Sequence, residues 1–273
     1  MLFCPLFSGS SGNAVYVSSG KTRILIDCGK SGIQVQEALG AIGVDPASLQ
    51  AILITHEHHD HIHGAGILSR RYHLPIYATA LTWAAMEKKL GAIEPENRRV
   101  FDAGSDFSVG DLGVEPVPLY HDAADPCGFR IWQGSASAAV VTDLGTFSRE
   151  TASVLSGAQV VLMESNHDPD MVRMNPHYTQ TLKNRILSRK GHLSNSECAE
   201  ALVTLASQGT TQFILGHLSR ENNLPELAMR VNEARLELEG LRLGVDVSLD
   251  MAWRDHVGNV YEIRDIRADH AVS

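Results

Sequence analysis

The chain is short of cysteine, short of positive charge and without a long apolar run, and each shortage closes off a class of protein. Only four cysteines occur in 273 residues: Cys4, Cys28, Cys127 and Cys198. They are widely separated, with no CxxC and no finger-type Cys/His spacing. A chain of this length needs no disulfide staples, so they read as buried free thiols. Lys and Arg total 23 against 32 Asp and Glu, a net charge of −9. That disfavours a protein that coats nucleic acid or an acidic membrane through net positive surface, though not an enzyme that handles nucleic acid in a local cleft. No stretch approaches the roughly 18–20 apolar residues that span a bilayer. The first ten residues lack the basic start of a signal peptide. A soluble, cytoplasmic protein is the expectation.

Internal repeats, low-complexity tracts and clear linkers are also missing. With 44% hydrophobic and 20% charged residues, the chain reads as one compact fold over 1–273, made of two αβ halves at about 1–150 and 151–273. What stands out is histidine, present 13 times.

Coarse patterning predicts a layered α/β architecture. Ala14–Val17 and Arg23–Ile26 flank a hairpin turn. Before them the glycine/serine loop Ser8–Asn13 is either a plain turn or a backbone-rich loop near a site. Helices are expected over 31–40, from about Asp60 to His73, and over Thr82–Leu90. Ala51–Ile54 is a continuous apolar run that suits a strand covered on both faces. Further strands are expected at Ile76–Ala78, Asp106–Val109, Val114–Leu119, Gly128–Trp132, Ala138–Thr142, Gln159–Met163, Phe213–Leu215, Val245–Asp250 and Val260–Ile263. Thr151–Leu155 and Pro225–Leu238 read as helices. Ser194 and Glu197 form a capping box that opens a helix to about Ser207. Residues 166–190 read as a polar insertion with a helical tail around Thr179–Arg189.

The strongest chemical signal is Thr55-His56-Glu57-His58-His59-Asp60-His61, straight after an apolar strand. In extended backbone alternate residues point the same way, so His56 and His58 reach one metal together. The turn into the helix redirects Asp60 and His61 toward a second ion. Imidazole and carboxylate suit zinc or manganese. One short loop does not encircle two ions, so further ligands are needed. Three apolar segments each end in a ligand-type residue: His121, Asp143 and His217. Strand ends are where α/β sites gather.

This ordered set resembles the metallo-β-lactamase superfamily over essentially the whole chain. The resemblance implies a four-layer αββα sandwich holding two divalent metal ions. By matching motif, Asp27 takes an early structural position. His56, His58 and His121 would hold one ion, Asp60, His61 and His217 the other, and Asp143 would bridge them. An aspartate at the bridge looks like the hydrolase and nuclease branches. A metal-bridging hydroxide would be the nucleophile, with Asp60 also orienting it. Two divalent ions set against Asp60, Asp143 and hydroxide leave net positive charge, which suits an anionic phosphodiester. The stretches Glu164-Ser165-Asn166-His167-Asp168 and Gly191-His192-Leu193-Ser194 resemble the tRNase Z-type nuclease branch. There His192 would be the general acid for the leaving oxygen, held by Glu164; His167 is a competing candidate. The closest similarity is to the YycJ/WalJ-type family of bacterial metallohydrolases, also carried by Phe7–Asn13 and Gly216-His217-Leu218-Ser219. That similarity implies a 5′–3′ exonuclease acting on DNA. The turn Arg173–Tyr178 departs from the family pattern in being polar.

A local basic rim is the expected nucleic-acid contact: Arg70 and Arg71, then Lys183, Arg185, Arg189 and Lys190, then Arg220. The alternative function is a thioester or lactone hydrolase of the same fold, with the same metal ligands but no need for His192.

Overall fold

Uninterrupted apolar strands need cover on both faces, and the computed structural model, which describes residues 1–265, supplies it. Six strands come first: β1 (Leu2–Phe7), β2 (Ala14–Ser18), β3 (Arg23–Ile26), β4 (Ala51–Leu53), β5 (Ile76–Ala78) and β6 (Arg98–Val100). Then follow β7 (Phe107–Val109), β8 (Leu112–Pro118), β9 (Cys127–Gln133), β10 (Ala136–Val141), β11 (Val160–Glu164), β12 (Gln212–Gly216), β13 (Ser248–Met251) and the short β14 (Tyr261–Glu262). They form two seven-stranded sheets, ordered β14-β1-β2-β3-β4-β5-β6 and β13-β12-β11-β10-β9-β8-β7. The helices are α1 (Gly32–Ala41), α2 (His59–Ile62), α3 (Ala65–Tyr72), α4 (Ala80–Leu90), α5 (Arg149–Leu155), α6 (Pro169–Met174), α7 (Gln180–Ile186), α8 (Asn195–Ser207) and α9 (Pro225–Leu238).

The period of two sorts each strand between two cores. In β4, Ala51 and Leu53 face the other sheet, while Ile52 faces the helices. In β11, Val160 and Leu162 pack between the sheets, and Val161 and Met163 face α8. Helices α1, α3 and α4 cover the first sheet; α5, α8 and α9 cover the second. The layers are therefore αββα, as the resemblance implied. Truncating Leu162 to alanine costs about 2–5 kcal/mol, because the rigid layers close poorly over a cavity.

The structure departs from the sequence reading in several places. The sheets change over between Val100 and Phe107 rather than near residue 150. There Asp102 makes a tight Asx turn, its side chain accepting from Gly104 N at 3.0 Å. Strand β14 then returns to the first sheet, so two consecutive halves do not describe the topology. Strand β1 was not foreseen, because Pro5 speaks against a strand; the pairing of β1 with β2 is irregular between Pro5 and Phe7. The helix expected over 60–73 is broken into α2 and α3 at Gly64, whose N–H turns aside to Cys28 O at 2.8 Å. The strand expected from Val245 starts only at Ser248, because Arg242 and Asp246 hold a turn before it. All four cysteines are buried and free. Among the described residues no helix is long and apolar enough to cross a membrane.

Candidate metal centre

Strands β3 and β4 run parallel, as do β10, β11 and β12. Strand β8 shares the direction of β10 through the antiparallel β9 between them. Their C-terminal ends therefore meet at one edge of the sandwich. Asp27 follows β3, the His56–His61 loop follows β4, His121 follows β8, Asp143 follows β10, Glu164 ends β11 and His217 follows β12. Three of these take left-handed backbone: Asp27 (φ 60°), Asp143 (φ 59°) and His217 (φ 52°). For residues with a Cβ that is strained, and such strain persists only where neighbours hold it.

The side chains converge. Ligand atoms of His56, His58 and His121 lie within 4.8 Å of one another, and so do those of Asp60, His61 and His217. Asp143 stands between the two groups. Its Oδ2 is 3.0 Å from His61 Nε2 and 3.6 Å from His217 Nε2. Its Oδ1 is 3.6 Å from His121 Nε2. Asp60 Oδ2 is 3.8 Å from both His61 Nε2 and His217 Nε2.

Outer partners orient the rings. His61 Nδ1 donates to Asp27 Oδ2 at 2.7 Å. Thr55 Oγ1 spends its proton on the same carboxylate at 2.9 Å, so it accepts from His56 Nδ1 at 3.0 Å. His121 Nδ1 donates to Gly191 O at 3.1 Å. His217 Nδ1 donates to Glu164 Oε1 at 2.7 Å. In each ring the Nδ1 proton faces away, which directs Nε2 inward. The Nε2 atoms of His56, His121 and His217 are buried without a hydrogen-bond partner among the described residues. Burying such atoms unpaired costs about 1–3 kcal/mol each. Three in one pocket beside two carboxylates make a donor set that fits divalent cations.

The pocket's charge is strongly coupled. Burial disfavours the charged form of Asp143, yet His217, His61 and His56 around it hold its pKa well below the usual carboxylate range. Burial likewise opposes charge on His217, but Asp143, Asp60 and Glu164 push its pKa up to about 10. His56 goes the other way, lowered by burial and by the neighbouring His61.

Glu164 does more than the sequence reading gave it. Besides His217, its Oε1 accepts from His192 Nδ1 at 2.7 Å. Its Oε2 accepts from the backbone N–H of Leu144 at 2.9 Å and of Leu193 at 3.3 Å. Both oxygens are thus spent, and two imidazoles share one carboxylate. Burial opposes ionisation of Glu164, but His192 and His217 bring its pKa to about 2. Burial also opposes charge on His192, yet Glu164 raises its pKa overall. The competing His167 is 1% exposed, and burial pulls its pKa down to about 4.

Several neighbours escaped the sequence reading. The Ser8–Asn13 loop does lie at the site: Asn13 Nδ2 is 3.0 Å from His61 Nε2, and Ser8 Oγ accepts from His217 N at 2.9 Å. Gly29 lets this loop close on Asp60, since a Cβ there would sit 1.7 Å from Asp60 O. Asn223, fully inside, donates to the backbone oxygens of Ser165 and Asn166 at 2.9 Å each and ties them to Asn195. It braces the loops that carry His192 and His217. Asp122 sits 3.3 Å from His121 Nε2 and forms an ion pair with Arg185. Buried asparagines and a second acid after a histidine look like ordinary loop residues in a sequence, so only the fold reveals them.

A cavity of about 180 Å³ opens beside His192 and His217, lined also by Ser10, Asn166, Tyr178, Arg185 and Ser219. The 166–190 segment, folded as α6 and α7, forms one wall. Part of the expected basic rim has other duties. Arg70 donates to Leu90 O at 2.7 Å and clamps α3 to the end of α4. Lys183 donates to Arg173 O at 2.7 Å, and Arg71 lies over the Tyr72 ring.

Comparison with known proteins places this geometry. Residues 22–218 match the beta-lactamase superfamily domain. The chain belongs to that superfamily. Within the superfamily it is 41% identical over 243 residues to the exodeoxyribonuclease WalJ of Streptococcus pneumoniae, covering 88% of this chain and 90% of that protein. It is 38% identical over 242 residues to the exodeoxyribonuclease YycJ of Bacillus anthracis, covering 89% and 91%. The metallo-beta-lactamase fold protein YhfI of Bacillus subtilis shares the superfamily fold, with TM-score 0.71 at 17% identity over 94% of this chain and 98% of that one.

Proposed function

We propose that the chain is a metal-dependent phosphodiesterase that degrades DNA as a 5′–3′ exonuclease, with two divalent ions, zinc or manganese, at the centre described above. His56, His58 and His121 would hold one ion, Asp60, His61 and His217 the other, with Asp143 shared. The observation that carries the reading is the inward-facing, unpartnered Nε2 set of His56, His121 and His217 around Asp143. Such ions, when bound, supply Lewis acidity to the phosphate and acidify a water.

The chain's own groups supply the rest. His192 is 22% exposed on its side chain and opens onto the cavity, while its Nδ1 is fixed by Glu164. That leaves its other nitrogen to carry a proton to the leaving sugar oxygen, a group that departs poorly as an alkoxide. A raised pKa keeps His192 protonated nearer neutral pH, which suits an acid. Asp60 lies beside both His61 and His217, placed to orient the attacking water. Ser10, Asn166 and Ser219 offer neutral hydrogen bonds along the cavity wall. The names of the relatives at 38–41% identity support DNA as the substrate.

The test is a panel of end-labelled DNA and RNA strands with purified, metal-analysed protein. Stepwise shortening of DNA from its 5′ end, absent in Asp143→Ala, is the expected result. No cleavage of DNA, RNA or bis-p-nitrophenyl phosphate by protein that carries metal would overturn the reading.

A further inference from the structure

One tryptophan lies open to solvent outside the hydrophobic cores. Trp83 is 1% exposed and packs in the core, whereas Trp253 is 41% exposed. Its ring stacks on His256, centroids 4.9 Å apart at 23°. Beside it lies a cavity of about 270 Å³ lined by Ser219, Arg220, Leu224, Trp253 and Arg254. Leu224 is 55% exposed on the opposite lip. Ser219 also lines the cavity next to His192, so the two hollows are neighbours.

The platform is held rigidly to the metal centre. Ser8 N donates to Trp253 O at 2.8 Å, and Ser8 Oγ accepts from His217 N at 2.9 Å. One residue thus joins the backbone that carries the exposed indole to the backbone of a candidate ligand. Arg254 Nη2 donates to Leu218 O at 2.8 Å, fixing its guanidinium in the groove, and its Nε is buried without a hydrogen-bond partner among the described residues. Arg220 makes no ion pair among the described residues. The nearby acid Asp255 is engaged by Lys30 at 3.1 Å. An acidic chain therefore concentrates two arginines and an open aromatic face at one groove next to its site.

We propose that this groove binds single-stranded DNA, with a base stacked on Trp253 and the backbone phosphates drawn by Arg220 and Arg254. The inference rests on the nuclease reading and extends it to the path of the strand. An aromatic face accepts any unstacked base, while paired arginines track phosphates, so recognition is of single strands rather than of sequence. A duplex keeps its bases stacked inside and gains only the phosphate part.

The experiment measures binding of a fluorescent single-stranded oligodeoxynucleotide by anisotropy with a chelator present, and separately KM and kcat with metal. Trp253→Ala is expected to weaken binding about tenfold or more, raise KM for the oligonucleotide and leave bis-p-nitrophenyl phosphate hydrolysis unchanged. Trp253→Phe keeps a stacking face and should restore most of the affinity, which a merely structural role would not predict. Arg220→Ala should flatten the salt dependence by about one phosphate contact. Wild-type protein that cleaves DNA, with Trp253→Ala binding it equally well, overturns this inference and leaves the nuclease reading intact. Altered self-association in Trp253→Ala with undiminished DNA affinity overturns it too and assigns the face to a second copy. Wild-type protein that neither binds nor cleaves DNA but hydrolyses the small phosphodiester overturns DNA as substrate, and the groove's role with it.

Discussion

From the first sheet the site takes one loop, His56 to His61, backed by Asp27; from the second it takes single residues at separate strand ends. Behind each side stands one buried carboxylate that serves two imidazoles. Asp27 holds His61 directly and His56 through Thr55. Glu164 holds His217 and His192 directly. The difference lies in the second imidazole. His56 is 1% exposed and keeps a lone pair inside the pocket. His192 opens onto the neighbouring cavity. The same device therefore orients candidate ligands on one side, and on the other it joins a candidate ligand to the proposed proton donor.

The largest effect expected is from the residue that belongs to both sides. Asp143→Ala removes the carboxylate that contacts His61 and His217 with one oxygen and His121 with the other. Activity toward DNA and bis-p-nitrophenyl phosphate should be lost together with bound metal. Metal analysis of the purified variant checks this; full metal content with wild-type turnover would show that the two sides do not share a centre.

Next comes His192→Ala, which touches the second side alone. Phosphodiester cleavage should fall by about 10²–10⁴-fold in kcat, the usual worth of a positioned proton donor. Metal content should hold, and any thioesterase activity should be little changed, because a thiolate leaves without protonation. Equal losses on both substrate classes would favour a structural part for His192.

The two carboxylates are then compared directly. Asp27→Asn and Glu164→Gln should each weaken metal binding by about 10–100-fold, as loss of an outer partner does. Of the two, only Glu164→Gln should also shift the acidic group seen in the pH–rate profile at saturating metal, because Glu164, and not Asp27, raises the pKa of His192. Identical pH profiles for the two variants would break the distinction.

How much of this was legible in the sequence follows from how local each signal is. The His56–His61 cluster is legible because its residues sit in one stretch after an apolar strand. His121, Asp143 and His217 are legible one by one, since each follows a run of buried strand residues. The shared role of Glu164 is not, because the number of partners a buried carboxylate takes depends on two other loops folding back to it. Asn223 carries no pattern at all, and the loop that contains Asn13 does not single it out; both become informative only once burial demands that their amides be paired. In the fold, Pro5 hid β1, and the three-residue strands β6 and β7 gave no periodicity from which the change of sheet could be read.

The smallest expected effect concerns protons that move when metal binds. Without metal, the pKa of His217 is raised from 6.5 to about 10, so its pairing with Asp143 and Glu164 stabilises the fold fully below about pH 6.5 and fades as pH rises through about 10. Glu164 is lowered from 4.5 to about 2, so its contribution is present above about pH 4.5 and is lost as pH falls through about 2. His61 is raised as well, chiefly against burial by Asp27 and Asp143. A ligating imidazole must be neutral, so metal has to displace a proton that His217 holds at neutral pH, and the raised pKa of His61 acts in the same direction. The gain in Tm on adding metal should therefore grow between about pH 5.5 and pH 8, and calorimetry in buffers of different ionisation enthalpy should register proton release. A gain in Tm that stays flat across that window would mean that His61 and His217 are already neutral before metal arrives, and the charge coupling drawn between the two sides of the pocket would have to be given up.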